Sequence, residues 1–182
     1  IALSDTLRPD VADVITAVRE AGAEPVLLTG DHRNAAETIA AEVGISECKY
    51  ECLPEDKLKW IDESQAAGLP VCMIGDGIND SPALSSADVG VTLRDGADLA
   101  REVADVVLMG GSLRELVTAL ELGRGTMRRI HFNFMATMVL NSAFLFGGLA
   151  GLLQPGVSAV LHNLTTLGVS LNAMRPALPR GK

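Results

Sequence analysis

Residues 73–82 read Met-Ile-Gly-Asp-Gly-Ile-Asn-Asp-Ser-Pro. Two carboxylates and an amide (Asp76, Asp80 and Asn79) stand close together, and Gly75 and Gly77 flank Asp76. A second cluster, Thr29-Gly30-Asp31, has the same mix of small and acidic residues. Glycines let a backbone turn sharply and present its N–H groups to an anion. Carboxylates at such a turn offer Mg2+ the oxygen ligands it prefers. Together these residue types suit a phosphoryl group and its metal. Spacing alone leaves a plainer reading open, because Gly-Asp-Gly also makes an ordinary turn.

Each cluster follows a short apolar run, residues 24–28 in one case and 69–74 in the other. Both runs read as strands, as do residues 48–53, 89–93 and 106–109. Between them the apolar spacing changes to that of helices. Residues 9–21 carry Val11, Val14, Ile15 and Val18 behind a proline, and residues 34–43, 55–67, 81–87 and 97–103 follow the same rule. Gly22, Gly44 and Gly68 stand where three of these helices should end. Strands alternating with helices imply an α/β fold, a parallel sheet with helices on both faces. In such sheets ligands bind outside the carboxyl ends of the strands, which is where both polar clusters fall.

Charge divides the chain. Arg129, Arg175, Arg180 and Lys182 are the only charged residues after position 128. All 23 acidic residues and the other 11 of the 15 basic ones therefore lie in the first 128, giving that part a net charge of −12. An acidic domain argues against a nucleic-acid partner, which requires basic surface. Residues 132–153 and 157–174 are free of charge. Each is near the roughly 20 residues that a helix needs to cross a bilayer. A soluble domain of this size rarely buries such a pair, so two transmembrane helices are expected, joined at Gln154-Pro155-Gly156. Bases flank their outer ends, which puts both ends in the cytoplasm. The expected division is a soluble domain over 1–128, a membrane hairpin over 129–176 and a short cytoplasmic tail over 177–182. Cys48, Cys52 and Cys72 form no disulfide pattern, and a reducing cytoplasm fits them best. The chain begins at Ile1 without a methionine and is expected to be part of something longer.

Taken together, Thr29-Gly30-Asp31, Pro54-Glu55-Asp56-Lys57 and the run from Gly75 through Asp80-Ser81-Pro82-Ala83 to Leu84 resemble the phosphorylation domain of P-type ATPases. These are ion pumps of the cell membrane whose phosphorylation domain has a haloacid-dehalogenase-like fold. Asp5-Thr6-Leu7-Arg8-Pro9 is similar to the segment where the family's chain returns from its nucleotide-binding domain. The resemblance implies ATP and Mg2+ as cofactors and a lipid bilayer as surroundings. It implies that Asp76 binds Mg2+ with Asp80, that Thr29 hydrogen-bonds a phosphoryl oxygen, and that Lys57 neutralises charge on the phosphoryl group. Asn79 would complete that shell, and Gly30, Asp31, Gly75 and Gly77 would shape the loops. Alone, Lys57 would read as a solvated lysine at a helix start. The family's nucleophile lies in an Asp-Lys-Thr-Gly-Thr motif, and these 182 residues contain none. The chain is thus expected to be a carboxyl-terminal portion, with its partner domains upstream, and inactive by itself.

Two apolar spans at the end resemble the heavy-metal-transporting class of the family. Polar groups inside a span are costly and so are candidates for the ion path. Asn141, His162, Asn163 and Thr166 are the candidate ligands, and hydrogen bonding between helices is the plainer role for the hydroxyls. Imidazole, amide and hydroxyl suit a divalent transition-metal ion such as Mn2+, Fe2+, Co2+ or Zn2+ better than Cu+. Two rival readings stand beside this one. A haloacid-dehalogenase-like phosphatase leaves the apolar spans unexplained, and a non-enzymatic metal-binding membrane subunit leaves the phosphate loops unexplained.

Overall fold

A computed structural model describes residues 10–176, so the expected return segment at 5–9 and the tail at 177–182 lie outside the described residues. The chain forms two compact units that divide at Thr118/Ala119, ten residues ahead of the expected boundary and inside a helix.

The first unit alternates as its periodicity requires. Its order is α1 (Val11–Glu20), β1 (Val26–Leu28), α2 (Arg33–Val43), β2 (Glu47–Lys49), α3 (Pro54–Ala66), β3 (Cys72–Ile74), α4 (Ser81–Ser86), β4 (Val89–Leu93), α5 (Asp98–Val103) and β5 (Val106–Leu108). A single 3-10 turn, Ile78–Asp80, links β3 to α4. Every strand pairing is parallel, but the strands form two sheets rather than one: β1 with β2, and β3-β4-β5. The facing register runs Val26 to Glu47 in the first sheet and Cys72 to Val89 and Val91 to Val106 in the second. β1 and β3 each keep one edge without a strand partner among the described residues.

The core sits around the second sheet. Ile61 of α3, Met73 of β3, Ala83 and Leu84 of α4 and Ala100 of α5 form one buried cluster, with Trp60, Val71 and Val103 against it. Burial at this scale contributes about 25 cal/mol per Å2 of apolar surface, so it fixes α3, β3 and α4 firmly around the loop that joins them. Helix α3 starts where expected. Pro54 occupies its first turn, and Asp56 Oδ2 accepts the Leu53 N–H at 2.9 Å. Strand β2 is shorter than the expected 48–53. Glu51 takes a left-handed φ of +54°, which ends the extended backbone. Its N–H and that of Cys52 then go to the carbonyls of Asp31 and Thr29, each at 2.9 Å.

Helix α6, Arg114–Leu149, begins in the first unit and continues through the second without a break. It is long and apolar enough to cross a membrane. It stops at Leu149 rather than 153, and Gly151 at φ +73° follows it. Helix α7 runs Pro155–Ala173, so Pro155 starts the helix instead of sitting in the turn. At 19 residues its length is roughly 28 Å, close to the hydrocarbon thickness of about 30 Å. His162, Asn163 and Asn172 lower its hydropathy, and α6 alone among the described residues is apolar enough to count as a span by composition.

Candidate functional site

The loop after β3 is built around an ion pair. Lys57, on α3, donates from Nζ to Asp80 Oδ1 at 2.7 Å, and the two side chains are only 14% and 16% exposed. Asp80 Oδ2 lies against the loop and accepts weakly from the Gly77 N–H at 3.4 Å. This packing explains Gly75: a Cβ there would lie 2.7 Å from the Asp80 Cβ and 3.1 Å from its Oδ2. Asp76 is held through its backbone. The Gly75 N–H donates to the Val91 carbonyl at 3.1 Å, and the Asp76 carbonyl accepts from the Ala97 N–H at 2.8 Å. The carboxylate itself is exposed, as is the Asn79 amide, and neither side chain bonds another described residue. An outward carboxylate beside a second acid and an amide is an oxygen donor set suited to Mg2+. That ion takes one or two protein carboxylates and fills its remaining positions with water and phosphate oxygens.

Thr29, Gly30 and Asp31 occupy the carboxyl end of β1. The Thr29 hydroxyl donates to Asp31 Oδ2 at 2.9 Å and accepts the Asp31 N–H at 3.2 Å. The Thr29 N–H donates to the Lys49 carbonyl at 3.0 Å, and its own carbonyl accepts from Cys52. The structure thus brings Asp76, Gly77, Asn79, Asp80 and Lys57 into one loop region. Thr29, Gly30 and Asp31 form another, on the other sheet, and among the described residues no hydrogen bond or ion pair joins the two. A cavity of about 400 Å3 opens beside the second loop, lined by Leu28, Cys48, Tyr50, Cys52, Asp56 and Trp60 among others. Burial pushes the Cys48 thiol above its usual range, so it favours the unreactive protonated form. No group of three metal-ligating His, Cys, Asp or Glu side chains occurs among the described residues.

In the second unit, His162 Nδ1 meets Asn141 Oδ1 at 2.8 Å. An imidazole nitrogen and a side-chain amide are thereby held together within the apolar unit. The Phe144 ring stands edge-on to the imidazole at 5.4 Å. Thr166 donates to the His162 carbonyl at 3.1 Å, within α7, and Asn163 is exposed. Neither side chain hydrogen-bonds Asn141 or the His162 ring among the described residues. Sequence reasoning missed Asn133, whose Oδ1 accepts from the Asn172 amide at 2.7 Å. A lone amide in an otherwise apolar stretch was the available signal. Near the same end, the Arg129 guanidinium donates to the carbonyls of Arg175 and Pro176.

Residues 1–88 match the family model of haloacid dehalogenase-like hydrolases. The manganese-exporting P-type ATPase of Mycobacterium leprae (strain TN) is 42% identical over 96% of this chain and 24% of its own length. The zinc-exporting P-type ATPase of Mycobacterium marinum (strain ATCC BAA-535 / M) is 41% identical with the same coverage. The crystal structure of a zinc-transporting PIB-type ATPase in its E2.Pi state superposes with a TM-score of 0.90 at 39% identity, covering 96% of this chain and 28% of that one. The chain spans about a quarter of the length of the curated relatives it matches.

Proposed function

We propose, from a chain homologous over nearly its whole length to the carboxyl-terminal part of heavy-metal P-type ATPases, that it completes the phosphoryl site and part of the ion path of an ATP-driven metal-cation pump. The observation that carries this reading is the loop after β3. It offers an outward Asp76 carboxylate beside a part-buried Lys57–Asp80 pair, at the carboxyl end of a parallel strand. Asp76 would hold Mg2+ with Asp80, and the ion would supply positive charge to the phosphoryl oxygens. Lys57 already faces a carboxylate at hydrogen-bond distance and would turn that charge to a phosphoryl group. Thr29 would donate its hydroxyl to a phosphoryl oxygen, in place of its bond to Asp31. Asn79 and Gly77 would complete the loop's polar lining, with Gly30 and Asp31 setting the shape of the other. Phosphoryl transfer depends chiefly on such positioning and charge stabilisation.

The nucleophilic Asp belongs, on this reading, to an upstream segment. β1 and β3 carry Thr29 and Asp76 beyond their carboxyl ends, and each leaves one edge without a strand partner among the described residues. An upstream strand bearing that Asp would pair there. The soluble unit would lie in the cytoplasm, with α6 and α7 both crossing the membrane. Asn141 and His162 would contribute to the cation path, with Asn163 and Thr166 as further donors. A set of imidazole, amide and hydroxyl donors without a soft thiolate or thioether favours a divalent transition metal over Cu+.

The test is phosphoenzyme formation from labelled ATP by the complete protein, with Mn2+, Fe2+, Co2+, Zn2+ and Cu+ supplied singly. Phosphorylation that depends on one divalent ion is expected, and Asp76→Ala should abolish turnover with the fold unchanged by circular dichroism. Metal-stimulated turnover retained by Asp76→Ala would overturn the reading.

A further inference from the structure

The Asp76 loop is gripped from behind by a turn outside the sequence clusters already discussed. Residues 94–97 follow β4, and this turn is anchored on several sides. The Arg94 N–H donates to the Leu108 carbonyl at 3.0 Å, and the Gly96 N–H to that of Leu93 at 3.0 Å. Arg101 donates to the Arg94 carbonyl at 3.1 Å. From this fixed base the Ala97 N–H reaches the Asp76 carbonyl at 2.8 Å.

The reach depends on Gly96, which is buried. A Cβ there would lie 2.7 Å from Thr92 Oγ1, 3.0 Å from the Leu93 carbonyl oxygen and 3.3 Å from the Asp76 carbonyl oxygen. Thr92 has no room to yield, being fully buried in β4, and its hydroxyl has no partner among the described residues. A methyl group at position 96 would therefore displace the turn instead, and carry the Ala97 N–H away from Asp76.

We propose that Gly96 and Ala97 are positioning residues, fixing the backbone of Asp76 so that its carboxylate meets Mg2+ at a set place. This rests on the reading of Asp76 as a Mg2+ ligand. Neither residue touches the metal; both act through the Asp76 carbonyl.

The experiment is a calorimetric Mg2+ titration of the complete protein, with thermal unfolding followed on the same samples. Two variants separate positioning from folding. Gly96→Ala crowds the turn. Ala97→Pro removes the N–H and sets the ring Cδ in its place, which pushes the Asp76 carbonyl away, while the φ of −56° itself suits proline. Loss of one hydrogen bond of this kind predicts Mg2+ binding weaker by roughly tenfold in each, in samples that still unfold cooperatively, at a lowered midpoint. Adding Thr92→Ala to Gly96→Ala removes the nearest clashing atom and restores binding, whereas adding it to Ala97→Pro does not. Parent-like Mg2+ affinity in both folded single variants overturns the proposal. Asp76→Asn is the control. If it binds Mg2+ as the parent does, the Mg2+ reading fails and this inference with it; if it alone loses binding, only the positioning role fails.

Discussion

At the scale of single residues, the Lys57–Asp80 pair carries the most weight. Both side chains are largely withdrawn from solvent, so neither charge is well hydrated without the other. Lys57→Met should destabilise the first unit by about 1–3 kcal/mol, because it leaves a carboxylate unpaired in a part-buried place. Asp80→Asn added to it should recover part of that loss. Denaturant unfolding of the four proteins in a double-mutant cycle measures the coupling, and strict additivity would show that the pair contributes nothing. Sequence patterning located these residues unevenly. Asp76, Asn79 and Asp80 stood out by type and spacing alone. Lys57 did not, since an isolated lysine at a helix start has no signature, and it entered only through the family resemblance. Gly96 and Ala97 left no trace either, because their part is played by backbone atoms.

At the scale of elements, the boundaries followed local chemistry where that chemistry was local. Pro54 and Pro155 each open a helix, and α2 stops at Gly44. The misses came from contacts between distant segments. β2 ends early because the turn at 50–52 folds back to bond the loop after β1, a pairing invisible in the run itself. Another such contact holds the start of β3. Asp88 accepts the Val71 N–H at 2.8 Å and the Gln65 amide at 3.1 Å. The Val71 N–H first, and then Gln65, hold this carboxyl below its ordinary value of 3.8. A depressed carboxylate adds stability that is present above the unfolded value and lost as pH falls through the folded one. Hydrogen exchange at the Val71 amide should therefore be faster in Asp88→Asn than in the parent at about pH 7, with the difference shrinking as pH falls below the ordinary carboxyl value and the carboxylate protonates. A difference that persists into acid would assign the protection to something other than the carboxylate.

At the scale of the whole molecule, alternation of strand and helix made the parallel α/β unit legible, and freedom from charge made the apolar end legible. The division into two sheets was not, since it depends on which strands find neighbours rather than on any strand's own pattern. On the proposed reading, in which the nucleophile belongs to another segment, the 182-residue chain given labelled ATP should retain no acid-stable phosphate, and its appearance would place the nucleophile in this chain. The edges of β1 and β3 that lack a strand partner among the described residues carry a practical meaning as well. Unpaired strand edges are templates that recruit other chains, so this polypeptide expressed alone should be sticky and poorly behaved. A peptide designed to pair with either edge should suppress that association, and light scattering with and without it measures the effect.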